Sequence, residues 1–270
     1  MVLNLNQPRP GQGNAGRPYQ NFGNITYYEE FGNANYNSLM VKLDKRLSRG
    51  FSFLLSYTYG KSIDEDPGPS STSDASSSVP QDSQNLRGSM RGLSDFDVRH
   101  RVVWSPIWTL PFGHGGNRFV NYVIGGWQIS SIFSAQTGRP FTAVESGNIS
   151  GTLQNADRPN VVAGCNPNDG PKTVAQWFNL ACFALPPTGT FGNAGRNIIT
   201  GPGFVNLDFS LARNFAIREN MRLQFRAEAF NLPNHPNFNY PSSTQNSPSF
   251  GHIASANDPR QIQLGLKLVF

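Results

Sequence analysis

The sequence predicts an all-β fold, an antiparallel up-and-down transmembrane β-barrel segment of about seven or eight strands with long extracellular loops. Three observations predict it. Seven segments alternate apolar and polar residues with period two, the mark of a strand with two unlike faces. Most of them are long enough for the about 9–11 residues a tilted strand needs to cross a bilayer, against about 5–6 in a typical soluble strand. Finally, short and long connections alternate strictly along the chain, as periplasmic turns and extracellular loops do in membrane barrels.

The first segment runs from about Asn35 to Leu47. Leu39, Val41, Leu43 and Leu47 share one face, and Ser38, Lys42, Asp44 and Arg46 share the other with Met40; the turn Ser48–Arg49–Gly50 follows. In the second, Phe51 to Gly60, Phe51, Phe53, Leu55, Tyr57 and Tyr59 oppose Ser52, Ser56 and Thr58. The third, Phe96 to Leu110, sets Phe96, Val98, Val102, Trp104 and Trp108 against Asp97, Arg99, Arg101, Ser105 and Thr109. The fourth, Trp127 to about Thr137, sets Trp127, Ile129, Phe133 and Ala135 against Gln128, Ser130, Ser134 and Gln136.

The fifth, Phe204 to Ile217, carries Val205, Leu207, Phe209, Leu211, Phe215 and Ile217 opposite Asn206, Asp208 and Ser210. The sixth begins at Met221, with Leu223, Phe225, Ala227 and Ala229 opposite Arg222, Gln224, Arg226 and Glu228. In the seventh, Ile262, Leu264, Leu266, Leu268 and Phe270 oppose Gln261, Gln263 and Lys267. Ile25 to Glu30 (ITYYEE) lacks clean alternation and reads as a loop extension, an eighth strand being the alternative.

Short turns join the first two segments and the fifth to the sixth, and LPFGHGGNRFVNYVIGG joins the third to the fourth. Long polar stretches, roughly Lys61 to Asp95, Gly138 to Gly203 and Leu232 to Pro259, join the rest. We therefore divide the chain into an extracellular loop remnant, 1–34, and the C-terminal part of a barrel, 35–270.

Composition is compatible with this reading. Hydrophobic residues make up 37% and mean hydropathy is −0.41, values that alternation keeps low even in a membrane barrel. No run of 18 apolar residues exists, which excludes a membrane-spanning helix. The formal charge of +5 is carried by scattered Lys and Arg, so no basic stripe points to nucleic acid. The first residues, MVLNLNQPRPGQ, lack the basic and long apolar regions of a signal peptide.

Lipid offers no hydrogen bonds, so only a closed sheet satisfies a spanning backbone. The apolar face then meets outer-membrane lipid. The other face lines a lumen and carries a charge ladder of Asp97, Arg99, Arg101, Arg222, Arg226 and Glu228, with Lys267. Trp104, Trp108, Trp127, Tyr57 and Tyr59 suit interfacial aromatic girdles. The competing reading is a secreted β-sandwich whose alternating residues fill a soluble core.

The stretches NYNSLMVKLDKRLSRGFSFLLSYTYGKSID, FDVRHRVVWSPIWTLPFG, GGWQISSIFSAQTGRPFT, GRNIITGPGFVNLDFSLARNF and LQFRAEAFNLPNHPNF follow in order, and a terminal strand ends at Phe270. Together they resemble the C-terminal barrel of TonB-dependent outer-membrane transporters of the Oar-like group, which carry a carboxypeptidase-regulatory-like domain. The resemblance covers about residues 21–270. It implies an outer-membrane location, a C-terminal assembly signal at Phe270 read by the barrel-assembly machinery, and a plug domain and TonB as partners. The plug, TonB box and regulatory-like domain have no counterpart in this sequence. The family closes with about 22 strands, so we expect a fragment that does not transport alone. A structural or adhesive outer-membrane barrel without energised uptake is the alternative.

No catalytic, cofactor or metal site is expected. Gly11, Gly13 and Gly16 match a dinucleotide fingerprint, but Pro8, Pro10 and Pro18 deny it the strand before and helix after. His100, His114, His235 and His252 are scattered and form no ligand or triad spacing. The bland reading of the charge ladder is cross-strand salt bridges; the sharper one is contact with a plug or a passing substrate. Cys165 and Cys182 lie in the longest loop, with no second Cys pair or nearby His for zinc, and are expected to pair in an oxidising compartment.

Overall fold

The computed structural model describes residues 2–28, 32–65, 79–113, 118–155 and 157–270. Seven long strands form one sheet: β1 (Ala34–Ser48), β2 (Phe51–Asp64), β3 (His100–Thr109), β4 (Trp127–Gln136), β5 (Phe204–Arg218), β6 (Met221–Phe230) and β7 (Gln261–Val269). Each pairs antiparallel with its neighbours in chain order. The two-residue strand Gly92–Leu93 adds to the outer end of β2. Among the described residues the sheet is open, with β1 and β7 at its edges.

Register carries the alternation across the whole wall. Phe51, Trp108, Ile129, Leu211, Ala227 and Leu264 form one unbroken row. Leu43, Leu55, Trp104, Phe133 and Leu207 form a second row on the same face. Ile107, Ser130, Ser210, Glu228 and Gln263 form a row of opposite parity, on the polar face. A slip of one residue anywhere would exchange the faces of a strand, so agreement over six pairings specifies a single register.

The turn between β1 and β2 consists of Arg49 and Gly50, with φ of 51° and 77°. Both residues are left-handed, as a two-residue hairpin matching the strand twist requires, and glycine adopts that conformation without strain.

Burial is inverted relative to a soluble fold. Among the described residues no second sheet covers the apolar face: Leu39, Trp104, Trp108, Val205 and Leu264 are all exposed. The buried hydrophobic residues, Ala229 excepted, come instead from segments outside the seven strands. Phe141, Phe178, Phe183, Phe250, Ile199, Ala143 and Cys182 form one cluster. Phe178 is its hub, edge-on to Phe250 at 4.9 Å and to Phe141 and Phe183 at 5.8 Å. The core of this protein is a layer of loops at one end of a bare sheet. A sandwich needs a second sheet against the apolar face, and the described residues supply none.

Three details differ from the sequence reading. The third strand starts at His100, not Phe96, because Asp97 N–H closes a turn onto the Ser94 carbonyl at 2.9 Å. Asp97 and Arg99 therefore leave the charge ladder, whose remaining members Arg101, Arg222, Arg226 and Glu228 do lie on the polar face. Residues Thr26–Tyr28 form a strand, but it pairs with Val2–Asn4 in a ribbon separate from the wall; Glu29 and Glu30 lie outside the described residues. The connection between β3 and β4 holds a short helix, Arg118–Ile124.

An arginine on the lipid side at mid-membrane depth costs about 2–4 kcal/mol, against little on the lumen side. We expect Leu207→Arg to impair folding of the barrel and Ser210→Arg to be tolerated. Heat-modifiable migration of the two variants measures this, and equal tolerance would refute the register.

Candidate functional site

The polar face of the wall opens on a cavity of about 350 Å³ lined by Ser105, Ile107, Ser130, Ile132, Asp208, Ser210, Arg226, Glu228 and Phe230, among others. Alternation places these side chains on one face because they sit at matching parity on β3 to β6. The charged members are already engaged. Arg226 Nη2 lies 3.2 Å from Glu228 Oε1, and Gln263 donates to the other oxygen of Glu228. Asp208 Oδ1 accepts from the Asn206 side chain at 2.8 Å and from Asn231 N–H at 3.0 Å. Such a surface presents hydrogen-bonding groups to water or to a polar occupant.

Arg101 is exposed at the loop end of this face and Arg222 at the opposite end. Asp97 instead accepts the Ser62 backbone N–H at 2.6 Å, fastening the end of β2 to the turn before β3, and pairs with Arg99 at 3.4 Å. Phe270 follows β7 and is 92% exposed.

Above the wall, buried polar groups lock the loops together. Arg196, fully buried, binds the carboxylate of Asp64 at the end of β2, donates to its carbonyl at 3.2 Å and lies 3.6 Å from Asp95. Burial raises the Asp95 carboxyl above its ordinary range, opposed by the Asn197 side chain, which donates at 2.6 Å, and by Arg196. Thr142 Oγ1 donates to Asn197 at 2.9 Å, and Asn197 donates to the Leu93 carbonyl at 2.7 Å. Two loops far apart in sequence are thus joined by one polar knot.

Glu145 and Asp157 lie beside one another, Glu145 N–H donating to the Asp157 carbonyl at 2.8 Å. Both are almost fully buried. Burial first, then the neighbouring Asp157 charge, pushes the Glu145 carboxyl up to about 7, and the backbone N–H of Asn246 pulls the other way. Nothing in the sequence marked Arg196, Glu145 or Asp157: each lies in a polar loop stretch that reads as solvated surface.

Cys165 and Cys182 form a disulfide with Cα atoms 5.3 Å apart, and Cys182 belongs to the aromatic core. The segment before β1 is stitched to the same layer: Gly11 N–H donates to Ser150 O at 2.8 Å, and Gln7 Nε2 to Gln81 O at 2.8 Å. His100 Nδ1 is 2.8 Å from the Tyr57 hydroxyl, and His114 lies outside the described residues. Among the described residues no three His, Cys, Asp or Glu side chains gather as a metal site.

A family model described as "Outer membrane beta barrel domain" matches residues 1–263. No curated protein and no solved structure matches the chain.

Two outcomes follow from the loop layer. Arg196→Ala leaves the buried Asp64 carboxylate without its ion pair, a loss of about 3–5 kcal/mol for a broken buried pair; faster proteolysis of the loops measures it. Glu145, whose folded value of about 7 lies above its ordinary 4.5, contributes stability that is full below about 4.5 and lost as pH rises through about 7. The loops should resist protease better at pH 5 than at pH 8, and Glu145→Gln should flatten that difference; an unchanged pH profile in the variant would contradict the assignment.

Proposed function

The chain belongs to the outer membrane β-barrel domain family, and from that premise we propose that it forms the C-terminal wall of a larger TonB-dependent, Oar-like receptor or transporter and does not transport alone. The observation that carries this reading is strand parity: among the described residues the wall has seven long strands, an odd number. With seven strands, β1 and β7 run in the same direction, so they cannot close on one another antiparallel. Two copies joined edge to edge would meet the same obstacle. An odd number of further strands completes an antiparallel barrel, and bacterial single-chain barrels are even-stranded. In lipid each unpaired edge group costs several kcal/mol, which makes an isolated wall untenable.

In this reading the polar face looks onto a plug contributed by the upstream part, and TonB acts on that plug. Phe270 is the mark read by the barrel-assembly machinery. Transport needs no covalent chemistry from the wall, and none is assigned to it. A second reading, a structural or adhesive barrel, draws on the disulfide-clamped aromatic loop layer, which would serve as a rigid surface platform.

Planar-bilayer conductance of the full-length parent protein separates the two. A plugged transporter conducts weakly until a denaturant expels the plug, then opens a wide channel; a narrow structural barrel never does. Refolding of residues 1–270 alone in detergent tests the wall itself. We expect a protease-sensitive chain, and a heat-modifiable, protease-resistant monomer would overturn the proposal.

A further inference from the structure

The lipid-facing side of the wall carries an arginine. Arg213 of β5 pairs with Trp127 of β4 and Phe225 of β6, and so shares the face of Leu211 and Phe215. It lies near the short-turn end of the strand, the periplasmic end of an outer-membrane barrel. Facing acyl chains directly, a guanidinium there would be left without partners. Instead Arg213 is only 6% exposed.

The helix Arg118–Ile124 (α1) covers it. Arg213 donates to the carbonyls of Tyr122 and Val123, the C-terminal end of the helix, where unpaired carbonyls and the helix dipole favour a cation. Its guanidinium also lies 4.3 Å from the Phe215 ring, 5.5 Å from Trp127 and 5.8 Å from Tyr122. Only Nε lacks a partner. Two more bonds dock the helix on the same face: Trp127 Nε1 donates to Val123 O at 3.1 Å and the Tyr122 hydroxyl to Ala216 O at 3.2 Å. The helix therefore folds back over the outside of the wall. Tyr122, which also touches the wall, and Val123 and Ile124 are each nearly half exposed.

We propose that this helix is a membrane-interface element: Arg213 clamps it by its C-terminal carbonyls, and Tyr122, Val123 and Ile124 seat in the phospholipid of the periplasmic leaflet. The occupant follows from continuity, since the patch prolongs the exposed apolar face that meets lipid everywhere else on the wall. This inference rests on the lipid-facing reading of that face, and the test separates the two.

Both cysteines of this chain are in the disulfide; with any free cysteine elsewhere in the parent replaced by serine, a single added cysteine takes a nitroxide label selectively. Val123→Cys, Leu264→Cys on the bare wall and Lys172→Cys in the loop layer are introduced into the full-length parent protein in phospholipid vesicles. Collision with oxygen, concentrated in lipid, is compared with collision with a water-soluble nickel chelate. At position 123 the oxygen-to-nickel ratio should match that at 264 and exceed that at 172 several-fold. A ratio matching 172 places the helix in water, and poor access to both reagents places it against protein; either overturns the proposal. A water-like ratio at 264 itself would instead reject the lipid-facing reading. In the Val123 label background, Arg213→Gln should raise nickel access at 123, and no change there in a barrel that still migrates heat-modifiably removes the clamp.

Discussion

The constraint on which the structure depends is that a backbone inside lipid must satisfy every N–H and C=O by itself. β2 to β6 each have a neighbour on both sides, which meets that requirement across the interior of the wall. Once the hydrogen bonds lie in the plane of the sheet, side chains are free only to point in or out, and sequence alternation becomes a statement about two solvents. The apolar rows need no packing partner because lipid supplies the contact. The polar rows need water or protein, which a closed barrel provides on its inner side.

Folding specificity then has to come from elsewhere. Lipid accepts any apolar side chain, so the wall's outer face does not demand a unique packing. The loop layer does. Its four Phe rings interlock edge-to-face, an arrangement that adds about 0.5–1.5 kcal/mol per pair beyond simple burial. The disulfide closes a loop across a sequence separation of 17, which restricts the unfolded chain by about 3 kcal/mol. Arg196 ties the end of β2 to the loop that follows β4, and Gly138 sits so tightly against the Gly201 carbonyl that a methyl group would collide with it. Ordered loops in turn fix how far each strand emerges and where its pairing begins.

What was legible in the sequence was whatever alternation encodes. All seven strands and their faces could be read because Leu43, Leu55, Trp104, Phe133 and Leu207 each declare a side in their own segment. Alternation misleads where it persists past the strand: Phe96 and Val98 keep the period, yet the Asp97 carboxylate accepts the Ser62 backbone N–H, a bond that no local pattern announces. Helix Arg118–Ile124 was invisible because seven residues give two turns, too few for a helical period to stand out. The loop core was hidden for another reason. Phe141, Phe178, Phe183 and Phe250 are scattered among Gly, Pro and Asn, and only the fold brings them together. Arg196, Glu145 and Asp157 show the same limit, since burial of a charge depends on partners distant in the chain.

Two cations on the lipid-facing side show how position decides the solution. Lys45 shares the parity of Phe53 and lies close to the turn. Its flexible stem lets the ammonium reach the carbonyl of Phe51 at 3.0 Å and rest 4.9 Å over the Phe51 ring, so it needs no added element; long cationic side chains near a membrane boundary escape in this way. Arg213 sits deeper, five residues before the end of β5, whose register runs on to Phe215 and Ala216. A guanidinium there is too far from the turn to borrow its carbonyls, and its planar fork needs several acceptors in fixed directions. The chain supplies them by folding the β3–β4 connection outward as a helix and presenting its last carbonyls. The longer connection at that turn, in a barrel whose other short turns are minimal, is thereby explained by one side chain on the strand beside it.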